Sequence, residues 1–200
     1  MKKIAPYIVC TLFACQAMTQ SNFGDSIARS RISLTKNAMI TLGSWALANI
    51  GTGFIVASET SGEPRYFWLM NGYWNFINLA LAVPGYLGAI RASTQHLGFA
   101  DNLASQFAIE KLYVFNVGLD LAYIAGGFYL GSKGSSEKNT MKNEQLNGYG
   151  NSIALQGGFL LVMDAVMFIL HHKNSRLMKS HLYQLELNAG PGGLGLLYKF

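Results

Sequence analysis

Residues 37–58 read NAMITLGSWALANIGTGFIVAS, a run without one formally charged side chain. At 1.5 Å per residue, a helix of that length crosses the roughly 30 Å of hydrocarbon in a bilayer. Three further runs repeat the pattern. Residues 66–90 are uncharged apart from their flanks, 112–130 carry only Asp120, and 150–170 carry only Asp164. The sequence therefore predicts an all-α membrane fold, a four-helix transmembrane bundle over residues 37–172.

Composition points the same way. Charged residues make up 12% of the chain and hydrophobic ones 50%, where a soluble domain carries roughly 25% charge. The few charges cluster between the apolar runs. The formal charge is +5, but Lys and Arg flank apolar segments and form no stripe of their own. Anionic lipid headgroups are thus the expected partner, and no nucleic acid is.

Residues 1–19, MKKIAPYIVCTLFACQAMT, have the form of a signal peptide. Lys2 and Lys3 precede an apolar stretch over 4–14, too short to span, and Ala17 and Thr19 are spaced for cleavage before Gln20. The bulky Phe13 makes residues 12–15 an imperfect lipobox, so lipidation of Cys15 is the lesser alternative. Cys10 and Cys15 are the chain's two cysteines. Cleavage would remove both, excluding disulfides, thiolate metal sites and cysteine nucleophiles.

Residues 20–36 are expected to form an amphipathic lead-in. Tyr66, Phe67 and Trp68 suit a headgroup boundary. Pro84 would kink or end the second helix. The polar stretch 131–147 reads as a loop, and 91–106 as a shorter connection. Glycines recur in every run, as close helix packing in lipid requires. In the tail, 173–200, apolar residues alternate with polar ones on either side of Asn188-Ala-Gly-Pro-Gly-Gly193, which predicts a β-hairpin packed on something else. Two orientation rules conflict. A cleaved signal puts the mature N-terminus outside, whereas Arg29, Arg31, Lys36, Arg91, Lys111, Lys173, Arg176 and Lys179 would hold the same side in the cytoplasm. The signal is the more specific pattern, and orientation is read from it.

One polar constellation could carry a function. Asn71, Asn75 and Asn78 share a helix face, and Asn49, Asn116 and Gln156 lie in the other runs. Glu110, Asn116, Asp120 and Tyr123 come close to sharing one face, and Asp164 and His171 share another. Antiparallel packing of the third and fourth runs would set Asp120 and Asp164 at similar depth. Two carboxylates in a dry site repel unless a shared proton, a cation or Lys111 relieves them. The expected site for a proton, metal ion or small polar ligand comprises Asp120, Asp164, Asn75, Asn78 and Asn116, with Glu110 and His171. The plainer alternative is that these groups only hold helices together, each bond worth ~1 kcal/mol. His171 and His172 resemble a cationic boundary more than a metal pair. No zincin spacing, Ser/His/Asp pattern or phosphate loop occurs, so no catalytic residue and no cofactor is expected. Trp45, Trp68 and Trp74 are read as packing and interface anchors.

The segments 43–51 (GSWALANIG), 70–79 (MNGYWNFINL), 110–120 (EKLYVFNVGLD) and 155–164 (LQGGFLLVMD) resemble an uncharacterised family of four-span bacterial membrane proteins. The resemblance covers about residues 36–172. It implies a helical membrane fold and no particular activity. The expectation is a non-enzymatic structural or accessory component of the bacterial envelope, in the inner rather than the outer membrane, touching lipid and either itself or other envelope proteins. A small proton- or ion-coupled transporter using the Asp pair is the alternative. A membrane-embedded metal hydrolase comes last, because it needs Glu110, Asp120, Asp164 and His171 to converge.

Overall fold

The computed structural model describes the backbone of residues 5–95, 97–183, 185–190 and 193–198, and side chains over 23–95 and 97–180. Four helices follow one another: α1 (Ala5–Glu59), α2 (Gly62–Ala92), α3 (Phe99–Ser135) and α4 (Thr140–Tyr183). The expected export signal, residues 1–19, falls on residues whose side chains lie outside the described ones.

The connections are short. Gly62 lets α1 turn into α2, because its φ of 65° lies in the left-handed region that side chains avoid. The polar stretch expected as a loop over 131–147 is mostly helix, and only residues 136–139 break it. Ser135 and Ser136 bond back to carbonyls one turn earlier. Asn139 then accepts a hydrogen bond from the Lys142 amide at 3.1 Å, capping α4. Polar composition marked solvent there, not irregular backbone. Likewise α3 begins at Phe99, so half of the expected 91–106 connection is helical. Pro84 lies inside α2, which runs on to Ala92.

Packing pairs α1 with α2 and α3 with α4, and the two hairpins meet chiefly where α2 lies on α4. Helices α2 and α3 have no backbone approach. The α3 and α4 backbones approach closely at Gly127 and Gly150. A Cβ on Gly127 would stand 2.6 Å from both the Ala154 nitrogen and the Gly150 oxygen, so nothing larger fits there.

Burial is inverted relative to a soluble protein. Among the described residues, the buried set includes Asn49, Asn71, Asn75, Asn78, Asn102, Gln106, Asp120, Gln156, Asp164 and His171. Large apolar side chains such as Ile55, Phe76, Leu81, Phe115, Phe128, Val162 and Ile169 are exposed. Buried apolar residues form only small clusters, Leu42–Ala82–Leu160 and Ala38–Tyr113–Met167, between polar layers. Water outside would gain nothing from this arrangement, whereas acyl chains would.

The expected fold class is corrected in two respects. Three helices, not four, are long and apolar enough to cross a membrane: the described parts of α1 and α4, and α3. Helix α2 falls short because Asn71, Asn75 and Asn78 occupy its buried face and dilute its apolarity. The folded body is also all-helical, with no strand in it. Two six-residue segments, Leu185–Gly190 and Gly193–Tyr198, pair antiparallel beyond α4. Apart from the end of α4, they meet no other element among the described residues. Beyond the end of α4, no described element supplies the packing partner expected for the hairpin.

Candidate functional site

The buried polar groups fall into three layers along the bundle. The first is a closed circuit across α1, α2 and α4. Trp45 Nε1 donates to Gln156 Oε1 at 2.8 Å, and Gln156 Nε2 donates to Asn71 Oδ1. Asn71 Nδ2 donates to Asn49 Oδ1 at 3.0 Å, and Asn49 Nδ2 closes the ring on the Trp45 carbonyl at 2.8 Å. Ser152 adds a donor to Asn71 Oδ1 at 3.2 Å. Trp45 stacks flat on Phe159, centroids 3.9 Å apart. Every amide in the ring is satisfied, so this layer is structural cement.

Asn75 links that ring to the second layer. It donates to the Asn71 carbonyl at 2.8 Å and accepts from Asn78 Nδ2 at 3.0 Å. Asn78 faces a cleft of about 400 Å³ between the two helical hairpins. Asn116, Asp120, Tyr123, Asp164 and Trp74 line the same cleft. Asp120 and Asp164 are 2% and 4% exposed. The two carboxyls are close enough to interact, and Asn116 lies beside Asp164. Antiparallel pairing of α3 and α4 produces this meeting, as the sequence anticipated. Two buried atoms here have no hydrogen-bond partner among the described residues: Asp120 Oδ2 and Trp74 Nε1.

The third layer lies toward the start of α1 and the end of α4. Glu110 accepts from Ser175 and pairs with His172 Nδ1 at 2.6 Å. His171 stacks on Tyr113 at 5.3 Å between centroids. Its carbonyl accepts from Gln106 Nε2 at 2.8 Å. Arg31, 8% exposed, donates to Asn102 Oδ1 at 3.2 Å and to its carbonyl at 2.9 Å.

The expected site residues thus separate. Asp120, Asp164, Asn78 and Asn116 converge, and Asn75 supports them. Glu110 and His171 belong to the third layer, about three turns from Asp120 and about two turns from Asp164 along their helices. Lys111 is exposed and does not line the cleft. Among the described residues no three His, Cys, Asp or Glu side chains are grouped to hold a metal, so the convergence a metal hydrolase needs is not formed. Trp74 and the Arg31–Asn102–Gln106 set were missed. Trp74 stands four residues before Asn78, hence on its face, while Asn102 and Gln106 fell in a stretch read as a connection.

Fold and burial define a helical protein with membrane-compatible apolar surfaces and a polar interior. Within that class, the chain belongs to the family of unknown function DUF6992, whose profile matches residues 41–165. No curated protein and no solved structure matches it. The family span covers the first two layers and the α3 half of the third, leaving Arg31, His171, His172 and Ser175 outside.

Proposed function

We propose that this is a non-enzymatic, membrane-embedded binding protein in which the Asp120–Asp164 pair takes up a proton or a cation from the cleft. The observation that carries the reading is Asp120 Oδ2, a buried atom without a hydrogen-bond partner among the described residues, in a side chain that lines the cleft together with Asp164. Two carboxyls this close call for positive charge between or beside them. Of the amides around the pair, Asn78 donates to Asn75 and Asn116 lies beside Asp164. Helix-to-helix cementing explains the first layer, where each donor meets an acceptor; it does not explain a carboxyl oxygen left without one. Ionisable groups at such depth mark ligand or proton sites. An accessory role in the bacterial cell envelope, in the inner membrane, fits the signal-like N-terminus and the outward apolar faces.

The test uses the full chain in lipid nanodiscs. Calorimetric titration with Na⁺, K⁺, Mg²⁺ and methylammonium, with proton uptake followed in parallel, should show uptake in the wild type. The Asp120→Asn/Asp164→Asn double variant should lose it and gain thermal stability of about 1 kcal/mol as the repulsion disappears. Identical titrations for both proteins would refute the site. Proton flux in liposomes, present in the wild type and absent in the double variant, would extend the reading to coupled transport.

A further inference from the structure

We infer that the cleft's ligand is a lipophilic organic ammonium that enters sideways from the bilayer between α2 and α3. This rests on the cation-site reading above and adds the ligand's class and its route. Helices α2 and α3 are neighbours whose backbones do not approach. The gap between them is bridged by Trp74 on Tyr123, edge to face with centroids 4.9 Å apart. On one side of that bridge lies the cleft, with Asp120 and Asp164 on its wall. Ile77 and Leu81 of α2 and Leu112 and Leu119 of α3 are among the residues that line it. All four are among the exposed large apolar side chains, so the opening presents hydrocarbon to hydrocarbon. The cleft extends about 16 Å along α2, from Trp74 to Gly85.

Each feature narrows the ligand. A cleft of about 400 Å³ lies within the range that accepts drug-sized molecules. Its apolar walls disfavour a hydrated metal ion, and no third acidic or imidazole ligand stands near to replace lost water. An ammonium N–H answers the unpartnered Asp120 Oδ2. The aromatic faces of Trp74 and Tyr123 suit a positive charge. The Trp74 N–H is a second buried polar group without a partner among the described residues, on a side chain that lines the same cleft. A charge buried with its apolar body in the same cleft reaches the carboxyls without crossing the polar ring of the first layer.

The experiment compares 1-naphthylmethylammonium, the neutral 1-naphthylmethanol and methylammonium, titrated calorimetrically into the full chain in lipid nanodiscs. The naphthyl ammonium should bind tightest. The alcohol, and the naphthyl ammonium against the Asp120→Asn/Asp164→Asn variant, should bind on the order of thirtyfold more weakly or worse. Leu112→Trp, which fills the opening from an exposed position, should abolish naphthyl binding and spare methylammonium. Leu81→Trp on the facing helix gives the same plug if the first variant fails to fold. Equal binding of amine and alcohol, or naphthyl binding indifferent to both plugs, would overturn the inference. Methylammonium uptake without naphthyl binding would overturn it while leaving the cation site standing. Absence of binding by either amine, with no other cation or proton taken up, would remove both.

Discussion

At the residue scale, one asparagine differs from its neighbours in how many partners depend on it. Asn71 Oδ1 accepts from Gln156 and Ser152, and its Nδ2 donates to Asn49. Replacing it with Ala strands three buried groups from three side chains, each costing about 1 kcal/mol or more. Asn78 makes one side-chain bond, to Asn75, and faces the cleft, so Asn78→Ala should cost under about 1 kcal/mol. Thermal unfolding of the two variants in detergent should therefore place Asn71→Ala well below Asn78→Ala; the reverse order would show that the ring does not hold the bundle. The face shared by Asn71, Asn75 and Asn78 was readable from their spacing, because a helix repeats every 3.6 residues. Which of them was saturated was not readable. That depends on Trp45, Asn49, Ser152 and Gln156, which approach from two other helices.

At the element scale, adjacent glycines make opposite predictions. A Cβ on Gly127 would collide with the backbone of α4, whereas one on Gly126 would meet nothing within 4 Å. Gly127→Ala must push α3 and α4 apart along this seam and should lower the melting temperature sharply. Gly126→Ala should be neutral or stabilising by up to about 1 kcal/mol, since alanine is the better helix former. Equal effects would mean that the seam does not lie there. The glycine pattern in the sequence announced close packing without saying which member of a pair faces a partner, because helix rotation is set by the neighbour. Element ends were less legible for a related reason. The polar residues of 131–147 read as loop, yet serine and asparagine side chains there supply caps and back-bonds at the helix ends.

At the scale of the whole molecule, the long uncharged runs made the membrane reading possible before any contact was known. They also misled it. Helix α2 looked like a full span in the absence of charge, but its asparagines lower its apolarity below that of the other three. Charge counting could not weigh amides that belong inside. The meeting of Asp120 and Asp164 was legible from antiparallel order alone, while the cleft beside them was not, since it exists only because α2 and α3 stand apart. The remaining consequence concerns solvent. A body with amides and carboxyls buried and Phe, Leu, Ile and Val outside is stable where the exterior is hydrocarbon. Alkaline carbonate washing of membranes should therefore leave the intact chain in the pellet. The strand pair beyond α4 contributes little to that body, because its register joins the two segments only to each other. A chain truncated after Tyr183 should stay in the pellet too, with the melting temperature of the full protein. Release of either form into the supernatant would mean that the exposed apolar faces are covered by protein instead of lipid. A melting temperature lowered by truncation would mean that the tail braces the helices after all.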